Sequence, residues 1–330
     1  MRLTPVVFLH LLADRSLKPA SVLLDVGEGD TSGVLPLIAD ERFSGLAENF
    51  PCLISSGLTK QLPADLMAAL LVGGCQLTPD EAVFRFDGPT KPIVPPTFHW
   101  LAGDWYLAPP PKVTSHQATS RALSLKLLQK VAADADTHEI ESIFRQDPVL
   151  AYHLLRLVNS LGVGVGRPIS SFSQAILILG RQQLKRWLNL MLFAAGQDDY
   201  RSSMLLARVA VRARSMELLA KAGGLDRSEQ DRAFMAGMFS LLGILFGMPL
   251  SEVLEPLSLN ASLSGAVLRG EGELGRLLQT VEGFERGDDT SLFSLLDDLN
   301  ISTDEFNLIN FEAHQWMLGV IHDKQDVADA

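Results

Sequence analysis

Apolar residues change their spacing part-way along this chain. Up to residue 110 they come in short runs, Val22–Val26, Cys52–Ile54 and Ala82–Phe86, each of strand length. Helix-like pieces, Glu41–Asn49 and Ala64–Leu71, fall between them, an alternation that predicts a small α/β region. Pro109, Pro110, Pro111 and Lys112 then read as a stiff junction. Beyond it the period becomes helical. Leu123, Leu127, Leu128 and Val131 mark one helix, and Ile140, Ile143 and Phe144 a short second one. A third, with Leu150, Leu154, Leu157 and Val158 on one face, opens at Asp147-Pro148. Asn159-Ser160 and the glycines at 162, 164 and 166 stop it. Ser171 to Gln174 has capping-box spacing for the next helix, and Gly180 suits its C-cap.

The helical period continues through Leu184, Trp187, Leu188, Met191 and Leu192. One long helix is expected over Tyr200–Ala222, ended by Gly223-Gly224, and a second over Ser228–Gly247 with Phe234, Met238, Leu241 and Leu245 on one side. Ser251 and Asn260 are candidate caps for two more, and Leu274, Leu277, Leu278, Val281 and Phe284 line another. Ser302 and Glu305 have capping-box spacing for a final helix that buries Phe306, Ile309, Ala313, Trp316 and Val320. The fold class that follows is α+β with two domains: a small α/β region over 1–110 and an all-α bundle over 111–330.

Composition narrows the function. With 47% hydrophobic and 20% charged residues, 330 residues can bury substantial cores. Two cysteines, without a CxxC or a Cys/His cluster, point away from a disulfide scaffold or structural zinc. No apolar run suits a spanning helix or a signal peptide, so a cytoplasmic protein without a membrane partner is expected. The net charge of −11 argues against direct nucleic-acid binding. Charge is uneven, however: roughly ten basic and six acidic residues fall in 181–232, and roughly four against sixteen in 250–330. Arg201, Arg208, Arg212 and Arg214 are therefore candidates for a basic helix face that meets an acidic partner. The blander alternative is a solvated face partly neutralised by the acidic C-terminal helices.

The motif Asp147-Pro148-x-Leu150, then Leu154-Leu155, Asn159-Ser160, a glycine-rich turn, Ile169-x-Ser171 and Ala175-Ile176-x-x-Leu179-Gly180 resembles the HDOD family in order and spacing. That family comprises bacterial signalling proteins whose all-helical domain is related to the HD phosphohydrolases. Near the junction, Gly103, Trp105, Tyr106 and Pro109 resemble the closing strand of EAL domains in EAL–HDOD tandem proteins, and the stretch from Gly272 to Asp288 resembles the C-terminal part of the same group. There the EAL part is a β/α barrel that binds or hydrolyses cyclic di-GMP. No EAL tripeptide and no paired-aspartate segment occurs here, and about 110 residues are too few for an eight-fold barrel. The region then reads as a shortened EAL remnant or as an unrelated accessory domain.

HD phosphohydrolases hold metal with an adjacent His-Asp pair in a segment like AGLLHDIG. The matching segment here, Ala236 to Gly243, has Ser240 and Leu241 at that pair. A hydroxyl and an aliphatic chain cannot anchor a divalent ion, so the resemblance implies no catalytic residues, no metal ligands and no cofactor. His322-Asp323, the one such dipeptide, falls in an acidic tail. Asp147, Pro148, Asn159, Ser160 and Gly180 identify the family as caps and turns. The expected function is a non-catalytic signalling or regulatory protein whose HDOD domain binds a protein partner, itself expected to be another signalling protein, with homo-oligomerisation left open. The alternatives are a sensor that binds a cyclic dinucleotide without cleaving it, and a metal-dependent phosphodiesterase.

Overall fold

The computed structural model describes residues 4–110, 199–257 and 259–321, with single residues and short runs between 123 and 142 and between 180 and 193. Strands β1 (Val7–Ala13) and β2 (Pro19–Val26) pair antiparallel, Val7 opposite Val26 and Leu12 opposite Ser21. Their turn is held by the Asp14 carboxylate, which accepts from the amide of Lys18 at 2.9 Å, with Leu17 left-handed at φ 64. Helices α1 (Val34–Ile38) and α2 (Glu41–Asn49) lead to β3 (Cys52–Ser55), parallel to β2. Helices α3 (Ser56–Thr59) and α4 (Ala64–Val72) lead to β4 (Gln76–Thr78), parallel to β3. On the other side of β1 lie β6 (Trp100–Ala102) and then β5 (Val83–Arg85), so the order is β4-β3-β2-β1-β6-β5. Every strand but β1 runs the same way.

The sheet must curl. Six flat strands would put their edges about 24 Å apart, yet Thr78 at one edge is joined to Val83 at the other by a link that reaches at most about 18 Å. Within the curl Leu12, Leu53 and Ala102 form a small core of their own. The outward face, with Val7, Leu9, Val22, Leu24, Cys52 and Ile54, joins the main core beneath Phe43, Leu46, Leu66 and Leu70. Both faces of β1 are thus covered, which is why VFLHLLA lacks the alternation of a half-buried strand.

The helices from residue 202 onward are α5 (Ser202–Ala222), α6 (Arg227–Phe239), α7 (Leu242–Phe246), α8 (Leu250–Leu254), α9 (Ala261–Arg269), α10 (Gly272–Arg286), α11 (Asp289–Asp298) and α12 (Thr303–Ile321). Asn260 caps α9 through the amide of Leu263 at 2.8 Å, and Ser302 caps α12 through that of Glu305 at 3.2 Å, both as the spacing predicts. Ser251 is not a cap. It lies inside α8, whose N-cap is Pro249.

The single helix expected over Ser228–Gly247 is two, broken at Ser240-Leu241. The Ser240 hydroxyl donates to the carbonyl of Gly237 at 2.7 Å, a local bond that competes with the helix ladder, and Leu241 leaves helical geometry at φ −102, ψ 0. Gly237 itself is where α6 crosses α5: a Cβ there would come 2.8 Å from the Cα of Ala213.

The expected division into 1–110 and 111–330 does not divide the core. Buried side chains of the sheet region and of α5 to α12 form one cluster. Phe8 stacks on Phe284 at 5.4 Å, Phe284 meets Phe306 edge-on at 5.5 Å, and Phe43 meets Phe311 at 5.1 Å. Each such ring contributes about 1.5–3 kcal/mol by its burial. A polar contact fixes the register. The Asn307 side chain accepts from the amide of Val7 at 2.9 Å and donates to the carbonyl of Pro5 at 2.9 Å, standing in for a neighbouring strand. Among the described residues no single helix is long and apolar enough to cross a membrane.

Candidate functional site

The four arginines proposed as an exposed basic face do not form one. Arg201 is fully buried, Arg212 nearly so, and all four are paired within the chain. Helix α5 is covered almost all round, so a charge on it lacks a free solvent side and must find a counter-charge inside. The Arg201 guanidinium grips both oxygens of Asp199, donates to the carbonyl of Ala108, and reaches that of Ile244 at 3.3 Å. Arg208 donates to the Asp104 carboxylate at 3.0 Å and lies 3.9 Å from Glu285. Arg212 forms a forked pair with Glu285, Nε to Oε1 at 2.9 Å, and reaches Glu282 at 3.4 Å. Arg214 faces elsewhere, to Glu217 at 2.7 Å and Glu312 at 2.6 Å.

Ser240, which the sequence resemblance sets at the first position of an HD pair, belongs to this network. The Ser240 hydroxyl accepts from Arg212 at 2.8 Å, and the Leu241 side chain is buried. A guanidinium therefore lies against the helix break at Ser240. Burial alone would raise the pKa of Glu285, but Arg212 and Arg208 outweigh it and hold the carboxyl below its ordinary value. Burial pushes Tyr106, beside Arg208, up to about 12. Among the described residues no group of three or more His, Cys, Asp or Glu side chains is placed to hold a metal ion.

Two histidines border the network. His10, on β1, lies among Asp25, Arg208, Arg85 and Asp104, and burial holds it below its ordinary value. His314, on α12, bonds through Nδ1 with the carbonyl of Asn310 at 2.8 Å and is pushed by burial down to about 4. Of the motif residues, Gly180 is described and has a positive φ of 73, while the helix it was expected to cap lies outside the described residues. Asp147, Pro148, Asn159 and Ser160 lie outside the described residues, as does His322-Asp323.

The sequence reading missed Glu285 and Asp104. Glu285 had a signal. It follows Leu278 by seven residues and Val281 by four, which places a carboxylate on the apolar face of α10, where a buried cation has to meet it.

Residues 121–268 match the family model of the HDOD domain. An HDOD domain is present. Over 220 residues the chain is 26% identical to a Vibrio cholerae protein named cyclic di-GMP phosphodiesterase CdgJ, covering 66% of this chain and 50% of that one. It is 24% identical over 185 residues to the uncharacterised Bacillus subtilis protein YuxH, covering 55% of this chain and 45% of that one. The chain thus spans about half the length of the curated relatives it matches. A solved structure from Shewanella amazonensis, described as a proposed phosphohydrolase, aligns with a TM-score of 0.41 at 15% identity, covering 60% of this chain and 92% of that one, a likeness too distant to assign a shared fold. The HDOD match takes in Arg201, Arg208, Arg212 and Ser240, while Asp104, Glu282 and Glu285 lie outside it. The network therefore joins HDOD residues to residues on both flanks.

Proposed function

We propose that this is a non-catalytic HDOD regulatory protein that acts by binding a protein partner. The observation that carries the reading is the guanidinium of Arg212 at Ser240. A divalent ion there would face a fixed positive charge, and the buried carboxylate of Glu285 is already forked to that same guanidinium. Lewis-acid activation of water has no ligand set to start from at Ser240 and Leu241. An HDOD domain without that chemistry acts by presenting a surface.

The test uses the purified full chain. Metal analysis is expected to find substoichiometric divalent metal, and cyclic di-GMP incubated with Mn²⁺ or Mg²⁺ is expected to remain intact. A stoichiometric metal, with hydrolysis abolished by Glu285→Gln, would sink the reading. A second reading is favoured by the match to a relative named a cyclic di-GMP phosphodiesterase: residues 1–110 are a shortened EAL-like barrel that binds the dinucleotide without cleaving it. The curl of six strands, all but one parallel, supports that descent. Saturating cyclic di-GMP that leaves the melting temperature unchanged would remove this second reading.

A further inference from the structure

Arg201, at the N-cap of α5, and Arg208 and Arg212 within it follow one another at spacings of seven and four residues, which keeps them on one side of the helix. That face looks onto two stretches far apart in sequence: residues 104–110, where the sheet region ends, and residues 240–247, where α6 breaks into α7. Arg201 bonds to both, through the carbonyls of Ala108 and Ile244. Arg208 holds Asp104 and Arg212 holds Ser240, and the two guanidiniums share Glu285. The two stretches also touch directly. Gly247 is left-handed at φ 64, and a Cβ on it would come 2.5 Å from Cγ of Pro110.

We propose that this arginine row is a conformational coupler, through which the position of Asp104–Pro110 sets the position of Ser240–Gly247. Because its cations are buried and Arg208 and Arg212 share Glu285, release of Asp104 draws Glu285 toward Arg208 and away from Arg212, so a change at one end is passed along the row. Its input end is Asp104, whose side chain is 60% exposed while that of Arg208 is 14% exposed. His10 on β1 feels the charge of Asp104 together with those of Asp25 on β2, Arg85 on β5 and Arg208. Its output end is the break at Ser240-Leu241, inside the HDOD domain. A cationic group of a ligand or partner that engages the Asp104 carboxylate competes with Arg208 for it and is felt at α7. The coupling does not depend on whether the HDOD domain is catalytic.

Amide hydrogen exchange on the full chain tests the proposal. Asp104→Asn, which keeps the shape and removes the charge, is expected to speed exchange in residues 241–247 by about tenfold and to leave residues 261–269 in α9 unchanged. Asp104→Glu is expected to restore wild-type exchange. Arg208→Lys keeps the charge but loses the pair of nitrogens that span Asp104 and Glu285, and is expected to act like Asp104→Asn. In a Glu285→Gln background, where the row is already released, Asp104→Asn is expected to add nothing. Unchanged exchange at 241–247 in both Asp104→Asn and Arg208→Lys overturns the proposal, and so does an equal acceleration in α9, which would mean global loosening.

Discussion

Two buried carboxylates, Glu285 and Glu217, each sit between two arginines on different sides of α5, and they do different work. Glu217 pairs with Arg186 at 2.8 Å and Arg214 at 2.7 Å, and each of those arginines has a further acid, Asp231 and Glu312 respectively. All five residues belong to the helical region, so this network ties helices to one another. Glu285 pairs with Arg212 and Arg208, and Arg208 carries the connection on to Asp104 in the sheet region. The chemistry is the same, and the provenance of the partners differs. A buried ion pair within one region is a staple, whereas one whose partners come from two regions makes the order of each depend on the other.

The comparison is sharpest where the carboxylate is removed. Glu285→Ala leaves two buried guanidiniums without their shared counter-charge and should cost about 3–5 kcal/mol in urea unfolding. Both regions should then unfold in one earlier transition, and two separate transitions would break the comparison. Acid should strike the same side. His314 has a folded pKa of about 4, below its ordinary 6.5, and Arg208, His10 and Glu285 contribute to its surroundings. The fold therefore favours the neutral ring, so its contribution is full above pH 6.5 and is lost as pH falls from 6.5 toward 4, on the order of 3 kcal/mol. The lowered pKa of Glu285 adds a loss of the same sign in acid. His314→Gln should flatten the fall in stability over that window.

Glu217→Ala should cost less, about 2 kcal/mol, because the acids left to its arginines, Asp231 on Arg186 and Glu312 on Arg214, lie closer and are on the whole better shielded than Glu282 and Asp104, the acids left to Arg212 and Arg208. A loss equal to that of Glu285→Ala would erase the distinction between the two sites. The surface sets the lower limit. Arg232 and Glu229, one turn apart and well exposed, form a pair whose removal by Arg232→Ala should change stability by about 0.3 kcal/mol, within the error of a denaturation curve.

Caps and stripes carried most of what the sequence disclosed. Asn260 and Ser302 announce their helices because a short polar side chain ahead of an apolar period has one local use. Leu274, Leu277, Leu278, Val281 and Phe284 are buried as their spacing predicts. The arginine row was the opposite case. Arg201, Arg208 and Arg212 have the spacing of a surface stripe, and nothing local separates a solvated stripe from one buried against acids supplied by Asp104 and Glu285. Strand β1 hid for a related reason: its covering on both faces is tertiary, so the alternation that betrays a strand is missing. The break at Ser240 was concealed because the apolar period continues across it through Leu241, Leu242 and Leu245.

The amide of Asn307 also has a consequence in time. It completes the hydrogen bonding of Pro5 and Val7 across separations of 302 and 300 residues. On the ribosome the first strand emerges long before that amide exists, and at about 5–20 residues per second it waits roughly 15–60 s for its partner. The curled sheet is therefore the first part of this chain to be made and among the last to be finished.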